Sequence, residues 1–365
     1  MKFEASIEKI KEAIVNTDRI AGKNLSLPVL GSILIIASDK KLKLRSTNLS
    51  IGIEVDVPAK VEKDGVVAVR AEILAGFFSN LVGGGMVSFE QVENTIVLST
   101  KQVTSRIKTI PHEDFPTIPV IDGEGNKINA QKFNEGLRAV YYSAAVSDIK
   151  PEIASIYVYK DGEKLVFVAT DSFRLSEKKI QQSVENFESM LIPWKNVVEI
   201  MRLLDSVQGD FVLTHTKTQI AITDKEQGLY LTSRVIDGNF PDYRLIFPKE
   251  VLIEVNILKQ EFVQSLKLAT IFSDKFNQIT LNINADTNTC SVASKNNETG
   301  EQDIVVPCKV TGGSITASFN YKHFMDCFSS VGGDTVKLSF TQPQKPVLVS
   351  GTDNSFTYLI MPLNR

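Results

Sequence analysis

The chain has 365 residues, too many for one ordinary hydrophobic core, so its length predicts two or three domains. Its hydrophobic fraction of 43% and charged fraction of 23% are typical of a folded soluble protein, and its longest apolar run, residues 29–37, is too short to cross a bilayer. The net charge of −3 argues against a uniformly basic nucleic-acid binder but leaves room for a locally basic surface.

The N-terminal residues and the cysteines favour the cytoplasm. Residues 1–9 carry charges where a signal peptide needs an apolar core, so no secretory leader is predicted. The cysteines are Cys290, Cys308 and Cys327, an odd number without a CxxC pair. This pattern fits free thiols in a reducing cytosol better than a disulfide framework. We therefore expect a cytoplasmic protein with no membrane segment.

The first third of the chain predicts two helices and a set of strands. Apolar residues at Ile7, Ile10 and Ile14 mark one face of a helix, with Ser6 placed as its N-cap. A second helix is predicted over residues 71–81, ended by glycines. Strands are predicted at residues 33–37, 42–46, 51–57, 86–89, 95–99 and 104–110.

The same order of elements then recurs twice. Phe115-Pro116 returns as Phe240-Pro241, 125 residues later. Ser46-Thr47-Asn48-Leu49 returns as Ala169-Thr170-Asp171-Ser172, and more faintly as Ala293-Ser294-Lys295-Asn296. This spacing is too long for a solenoid and suits tandem domains.

The repeat predicts the fold class. We expect an α+β protein of three tandem copies of one domain, in which two helices cover an antiparallel sheet. Each copy reads β-α-βββ-α-ββββ or close to it. The predicted domains are residues 1–121, 122–248 and 249–365.

No catalytic constellation accompanies the repeat. His112, His215 and His323 fall at different places in the three copies, and no nucleophile motif stands near any of them. His323 and Cys327 are four residues apart on a predicted helix, but further metal ligands are missing. We therefore expect no enzyme activity, no metal and no cofactor, and a role in binding or scaffolding.

Charge is divided between the helices and the remainder of the chain. The six predicted helical segments carry a net +4, so the remainder carries −7. A helix layer of this kind suits a surface that faces phosphates, although a solvated helical face gives similar counts. No ladder of aromatic and basic residues is visible, so single-strand or base-specific recognition is not predicted.

Six short motifs run in order along the whole chain. They are Met1-Lys2-Phe3, Leu27-Pro28-Val29-Leu30-Gly31, Asp114-Phe115-Pro116, Ala169-Thr170-Asp171-Ser172-Phe173-Arg174-Leu175, Asp237-Gly238-Asn239-Phe240-Pro241-Asp242-Tyr243-Arg244 and Met361-Pro362-Leu363. In this order they are specific, and the chain resembles from end to end the β subunit family of bacterial DNA polymerase III, the sliding clamps. The resemblance implies the DNA clamp fold, with two subunits closed head-to-tail into a ring of six domains around duplex DNA.

The resemblance also implies a function and a set of partners. The family holds the replicative polymerase on DNA as a non-catalytic processivity factor of DNA replication. The implied partners are double-stranded DNA bound without sequence preference, a second copy of the chain, the DNA polymerase III catalytic subunit, the clamp loader, other DNA polymerases and mismatch-repair proteins. The protein partners bind through short, partly apolar peptides. The alternative is a tandem-repeat interaction scaffold that does not bind DNA, and a monomer in solution would favour it.

The resemblance places a peptide pocket between the second and third domains. Its positions here are Ile153, Thr170, Ser172, Phe173, Arg174, Leu175, Pro241, Leu245, Ile246, Pro346, Leu359, Ile360, Met361, Pro362 and Leu363. Ordinary packing at a domain junction is the alternative role of these residues. The family often has Gly-His in place of Ser172-Phe173 and a second Arg in place of Leu245, so this pocket is expected to be bulkier and more apolar.

Two further surfaces follow from the resemblance. At the dimer interface, Ile271 and Phe272 of the third domain are expected to meet an edge strand of the first domain near Gln102 and Arg106. The DNA-facing positions are Lys23, Asn24, Ser147 and Lys150. Asn24 stands where the family often offers an Arg.

Overall fold

The structure is a computed structural model in which residues 1–22, 27–121 and 123–363 are described. One run of strands and helices recurs three times along these residues, and each recurrence is called a module below. The first module consists of β1 (Lys2–Ser6), α1 (Ile7–Ile20), β2 (Ser32–Ser38), β3 (Lys41–Thr47), β4 (Ile51–Val57), β5 (Ala59–Lys63), β6 (Gly65–Arg70), α2 (Ala71–Asn80), β7 (Met86–Val92), β8 (Thr95–Ser99) and β9 (Thr104–Ile110).

The other two modules follow the same run with one strand fewer before the second helix. The second consists of β10 (Asn126–Asn129), α3 (Ala130–Val140), β11 (Ser155–Asp161), β12 (Lys164–Thr170), β13 (Arg174–Gln181), β14 (Met190–Pro193), α4 (Trp194–Leu204), β15 (Asp210–His215), β16 (Gln219–Asp224) and β17 (Leu229–Arg234). The third consists of β18 (Ile253–Leu258), α5 (Lys259–Ala269), β19 (Gln278–Asn284), β20 (Thr289–Asn296), β21 (Gly300–Thr311), β22 (Ile315–Asn320), α6 (Tyr321–Cys327), β23 (Thr335–Phe340), β24 (Val347–Ser350) and β25 (Phe356–Ile360).

The strand count differs from the sequence prediction. Among the described residues, five strands lie between the two helices of the first module and four between those of each other module, and three strands follow the second helix. The sequence predicted three strands between the helices and four after the second. In the first module the missed strands are β5 and β6. β5 is the terminal strand of its sheet, and only Ala59 and Val61 of its five residues are apolar, so its alternation is too short to detect.

The predicted helices of the first module are confirmed. Ile7, Ile10 and Ile14 are buried along one face of α1, and α2 has nearly the predicted bounds. Ser6 occupies the N-cap of α1 with an extended backbone, but its side chain makes no capping hydrogen bond. α1 is therefore held by burial of its apolar face more than by its cap.

The chain divides into two compact units. The first is Met1–Gln131 with Val198–Val235, and the second is Lys132–Val197 with Ile236–Arg365. The described strands of the first unit form one antiparallel sheet in the order β10-β15-β16-β17-β4-β3-β2-β6-β9-β8-β7-β1-β5. The first and second modules join in this sheet where β4 pairs with β17.

The second unit contains the other module junction. Its described strands form an antiparallel sheet in the order β14-β11-β12-β13-β25-β24-β23-β18-β21-β20-β19-β22, and the second and third modules join where β13 pairs with β25. α3 packs closely on this sheet, because a Cβ added to Gly136 would lie 2.4 Å from the Phe167 ring. Both junctions are therefore continuous sheet, not flexible linkers.

The thiols and the helices complete the description of the fold. Cys290 and Cys327 are buried and Cys308 is half-buried, all three as free cysteines. Burial raises the pKa of the Cys290 thiol to about 12, so this sulfur stays protonated and unreactive near neutral pH. In the described part of the chain, no helix is both long and apolar enough to cross a membrane.

Candidate functional site

The loop between β12 and β13 is a turn held by its own side chains. The Thr170 hydroxyl donates to the Arg174 carbonyl at 2.7 Å and accepts from the Ser172 amide at 3.1 Å. Asp171 Oδ1 accepts from the amides of Phe173 and Arg174 at 2.9 and 3.0 Å. Ser172 adopts the left-handed backbone region, with φ 76°, and the reversal leaves Phe173 65% exposed.

The first module contains the same turn between β3 and β4. The Thr47 hydroxyl donates to the Ile51 carbonyl at 2.9 Å and accepts from the Leu49 amide at 3.1 Å. Asn48 Oδ1 accepts from the amides of Ser50 and Ile51, both at 3.0 Å. The repeat detected in the sequence therefore reflects one local backbone arrangement, and the two copies differ in the side chains they present.

A buried apolar cluster lies beside the second-module turn. Leu175 of β13 is opposite Leu359 of β25, and both pack with Val166, Val168 and Tyr243. All five side chains are less than a tenth exposed. Their burial holds β13 and β25 together, since removal of apolar area from water is the main stabilising term of a core. We call these five residues the floor.

Four large apolar side chains next to the floor remain exposed. Phe173, Leu245, Ile246 and Met361 have 65%, 78%, 47% and 37% of their surface exposed. The Met361 amide donates to the Phe173 carbonyl at 2.9 Å, which joins two of the four. The other two belong to a 3₁₀ turn that begins at the buried Tyr243. We call the four residues the rim, and the rim and floor together the groove; clustered apolar exposure of this kind marks binding surfaces.

Six of the residues predicted for the peptide pocket belong to this groove, namely Phe173, Leu175, Leu245, Ile246, Leu359 and Met361. Thr170, Ser172 and Arg174 lie in the adjacent turn, and Ile360 is opposite Arg174 on β25. Pro241 lies at the entry to the 3₁₀ turn, where its carbonyl accepts from the Tyr243 amide at 2.7 Å. Pro346 directly precedes β24.

The remaining predicted pocket residues lie at other elements of the second unit. Ile153 is at the base of the loop before β11, where its carbonyl accepts from the Ala145 amide at 2.9 Å. Pro362 is buried, and the Leu363 amide donates to the Ser318 carbonyl of β22 at 2.8 Å. Their role in the pocket stays a prediction.

Arg174 is engaged inside the protein. Its Nε donates to Asp171 Oδ2 at 3.0 Å, its Nη2 donates to the Tyr142 carbonyl at 2.6 Å, and its Nη1 donates to Asp326 Oδ2 of α6. The side chain is only 14% exposed. The sequence predicted Arg174 as the polar member of the pocket, whereas here all three guanidinium nitrogens have internal acceptors.

A second arginine, not predicted from the sequence, lies beside the groove. Arg244 Nη2 donates to Tyr159 Oη at 2.8 Å, Tyr159 Oη lies 2.7 Å from Tyr243 Oη, and Tyr243 Oη donates to Glu177 Oε2 at 2.5 Å. Burial, and then the bond to Glu177, raise the pKa of Tyr243. A buried carboxylate is thus joined through two tyrosines to an exposed cation. The only signal in the sequence was the place of Arg244 at the end of a family motif.

The predicted DNA-facing residues are partly described. Lys23 and Asn24 lie outside the described residues. Ser147 Oγ accepts from the Ile149 amide at 3.4 Å, and Lys150 is exposed next to Ile149. This loop therefore presents the basic Lys150 and the apolar Ile149 to solvent, together with the acidic Asp148, which pairs with Lys195 at 2.6 Å.

Three of the four predicted dimer residues are exposed on the surfaces of their own units, and Phe272 is half-buried. In the first unit, Arg106 belongs to β9 and Gln102 to the turn before it, and both are exposed. In the second unit, Ile271 and Phe272 belong to a 3₁₀ turn after α5, where Ile271 is 61% exposed.

A polar cavity of about 650 Å³ opens beside β19, β20 and β21. Three buried atoms of its lining residues, Gln278 Oε1, Ser294 Oγ and Gln302 Nε2, have no hydrogen-bond partner within the described part of the chain. Glu301 and Asp303 line the same cavity. Buried polar groups are almost always satisfied by protein or by ordered water, so these three atoms mark a polar site open to water or to a partner.

Among the described residues, none of the three histidines belongs to a metal-binding cluster. The described residues contain no group of three or more His, Cys, Asp and Glu side chains placed to hold a metal ion. His323 lies on α6, where Tyr358 Oη donates to its carbonyl at 3.0 Å. Burial, and then the charge of Arg174, lower the pKa of His323.

Comparison with family models covers nearly the whole chain. The models for the DNA polymerase III beta subunit match as the N-terminal domain over residues 1–119, the central domain over 127–242 and the C-terminal domain over 244–364. Among individual proteins, the chain is 24% identical over 382 residues to the beta sliding clamp of Bacillus subtilis and 23% identical over 374 residues to that of Synechococcus elongatus. Each alignment covers 100% of this chain and 99% of the relative.

Solved structures show the same fold. The chain superposes on the Thermotoga maritima DNA polymerase III beta subunit with a TM-score of 0.94 at 20% identity, covering 100% of this chain and 99% of that one. It superposes on the Bacillus subtilis DNA polymerase sliding clamp with a TM-score of 0.93 at 21% identity and the same coverage. Three matching domain models in the predicted order confirm the resemblance and the predicted fold class. The chain belongs to the DNA polymerase III beta subunit family, the sliding clamps.

Proposed function

We propose that two copies of this chain close head-to-tail into a ring of six domains, at residues 1–121, 122–248 and 249–365 of each, that encircles duplex DNA and tethers the replicative polymerase. The role needs no catalytic group, and the excess positive charge of the helices suits contacts to phosphates without sequence preference. The observation that carries the proposal is the pair of equivalent sheet junctions, β4 with β17 and β13 with β25.

If the junctions are followed from module to module among the described strands, one strand edge without a partner remains in the first module and one in the third. β9 corresponds to β17 and β25 in module order, and β21 corresponds to β4 and β13. Within the described sheets, β9 pairs only with β8 over residues 104–108, and β21 pairs only with β20 over residues 300–307. A closed head-to-tail dimer would cover both edges, which otherwise invite uncontrolled strand pairing.

The two internal junctions share one register. The residues that lie in line across them are Leu213, Ile222, Leu231 and Ile53 in the first unit and Leu338, Val349, Tyr358 and Ser176 in the second. The first module has the matching half of such a row in Phe89, Leu98 and Ser105. A third junction of the same kind would place Ser105 at its centre.

The other half of that row is Gln302. It pairs with Ser294 of β20, as Ser176 pairs with Ala169 of β12 and Ile53 with Ser46 of β3. In the sequence repeat, Ala293 aligns with Ala169. In the structure, Ser294 is the residue that is buried as Ala169 is, so Ser294 takes the place equivalent to Ala169, one residue further along. We therefore expect Ser105 of one subunit opposite Gln302 of the other.

Charge and polarity support this register. It sets Arg106 of one subunit opposite Glu301 of the other, and Asp303 stands two residues from Glu301 on the same strand. The partner edge would also bring polar groups to the unsatisfied atoms of the polar cavity, while Ile271 supplies apolar surface. Complementary charges at an interface fix the register and speed the encounter.

The groove is the proposed docking site for short, partly apolar peptides of the polymerase, the clamp loader, other DNA polymerases and mismatch-repair proteins. A buried floor and an exposed rim fit a peptide that buries two or three apolar anchors. The alternative explanation, that these residues only pack at a module junction, does not explain why the rim stays exposed.

The experiment that tests the ring is retention on DNA of different topology. The protein is placed on a nicked circular duplex, and the circle is then cut once. A ring stays on the circle and leaves the linear product by sliding off its ends. Equal retention on both forms would refute encirclement, and a monomer in sedimentation would favour the scaffold alternative.

A further inference from the structure

We infer that Arg244 selects partner peptides that carry a carboxylate next to their apolar anchor. The inference rests on the proposed function, because it assumes that the groove binds a peptide. In an otherwise apolar groove, this polar contact of Arg244 would distinguish between partner peptides of similar hydrophobicity.

The other arginine of the groove is not available for this contact. Arg174 is 14% exposed and already bonded to Asp171, Asp326 and the Tyr142 carbonyl. A carboxylate from outside would have to displace these acceptors and leave the two aspartates unpaired. The groove therefore needs another cation if it is to recognise an acidic residue.

Arg244 is held in place before any partner arrives. Its guanidinium lies over the Tyr159 ring, 5.5 Å from the centroid, and donates to Tyr159 Oη at 2.8 Å. Tyr159 is fixed in turn by Tyr243, whose hydroxyl donates to the buried Glu177. Because the side chain is already ordered on this support, binding a ligand costs little further conformational entropy.

The outer part of the Arg244 guanidinium remains open. The side chain is 62% exposed, and its ion-pair partner Asp161, itself 54% exposed, places Oδ2 3.9 Å from Nη2, beyond hydrogen-bonding distance. An arginine fork binds a carboxylate through two parallel hydrogen bonds, which gives a directional contact that a lysine does not provide.

The position of Arg244 determines which residue of a bound peptide it can contact. Leu245 and Ile246 of the rim follow it directly in the same 3₁₀ turn, and Tyr243 before it belongs to the floor. A peptide that rests an apolar anchor on this rim therefore brings a flanking residue to the guanidinium.

Lysine near the groove offers a matched control. Lys345 is exposed and adjacent to Pro346. Lys179 is already paired with Glu177 at 3.2 Å. If positive charge alone mattered, Lys345 would contribute as much as Arg244.

The test uses peptides with one constant apolar anchor. The residue flanking the anchor is Asp, Asn or Lys, and each peptide is made with a free or an amidated C-terminus to separate a side-chain carboxylate from a terminal one. Binding to the full chain is measured by fluorescence anisotropy. We expect about a fivefold preference for the carboxylate-bearing peptide, and its reduction to less than about twofold in Arg244→Gln. Lys345→Gln should keep the preference, and the neutral peptide should bind all three proteins alike.

Several outcomes would overturn the inference. An equal loss of acidic and neutral peptides in Arg244→Gln would mean that Arg244 only supports the turn. Equal affinity of Asp and Asn peptides for the unmodified chain would mean that Arg244 makes no such contact, while the groove itself stands. If none of the peptides binds, the proposed docking function fails and the inference fails with it.

Discussion

Arg174 in the turn of the second module and Asp326 on α6 of the third are joined by a hydrogen-bonded ion pair across 152 residues of sequence. The same guanidinium closes its own turn through Asp171 and reaches the Tyr142 carbonyl. The side chain therefore links β13 to the helix layer of the second unit, and its contribution is to the geometry of the groove.

Removal of this side chain should destabilise the second unit. Arg174→Ala leaves Asp171 Oδ2, Asp326 Oδ2 and the Tyr142 carbonyl without the guanidinium donor, so we expect the free energy of unfolding to fall by about 3 kcal/mol. The measurement is the shift of the chemical-denaturation curve. Lys195→Ala, which removes an exposed pair with Asp148 in the same unit, is the control and should cost less than about 1 kcal/mol. Equal effects of the two substitutions would show that the Arg174 contacts carry no special weight.

Replacing two apolar side chains at the C-terminal end of the chain with alanine should weaken peptide binding without dissociating the dimer. Met361→Ala with Leu363→Ala removes apolar surface that a peptide would cover, and we expect affinity to fall by about tenfold or more. Sedimentation should still show a dimer. Leu268→Ala, an exposed apolar residue on α5, is the control. Unchanged affinity in the double variant would remove these two residues from the docking site.

His323 should make the stability of the second unit depend on pH. Burial lowers its pKa in the folded protein, so below the ordinary value of about 6.5 the unfolded chain binds a proton that the folded chain resists. Stability is therefore retained above pH 7 and falls as the pH drops through 6.5 towards the lowered pKa. Thermal melting between pH 7.5 and 5 should show a smaller decrease in His323→Gln than in the unmodified chain. Parallel decreases would contradict the assignment.

The parts of the fold that follow from local pattern were predictable from the sequence. The spacing of Ile7, Ile10 and Ile14 marks a buried helix face, and the recurrence of Thr47 as Thr170 marks one type of turn. Each pattern is formed by residues only a few positions apart, so it can be recognised without knowing which distant residues are in contact. β5 was missed because the apolar alternation of this terminal strand is too short to detect.

The chemistry of the groove was less predictable, because it depends on residues far apart in sequence. Nothing local to Arg174 shows that its charge is already taken by Asp326. Similarly, Arg244 owes its fixed position to Tyr159, 85 residues earlier, and to the bond between Tyr243 and Glu177. Sequence located the groove through a family resemblance, whereas the division of roles between its two arginines required the side-chain contacts.

Reversing one charge of the proposed dimer edge should open the dimer, and reversing both should restore it. Glu301→Arg would place a cation opposite Arg106 of the partner subunit, and like charges in register repel. Adding Arg106→Glu re-forms an opposite pair. Sedimentation at low salt should show more monomer for each single variant and recovery for the double variant. Failure of the double variant to recover, with each unit still folded, would contradict this register.

The central claim, a ring closed by a third sheet junction in the register of the other two, is tested most directly by disulfide trapping. Ser105→Cys combined with Gln302→Cys places two thiols on directly opposed strand residues, where Cα atoms are about 5 Å apart and a disulfide fits. Ser105→Cys with Ile304→Cys is the control, two residues out of register. We predict a dimer that survives denaturing electrophoresis for the first pair and that stays on a DNA circle until the circle is cut. Preferential trapping of the out-of-register pair, or trapped dimers indifferent to cutting of the circle, would contradict the account.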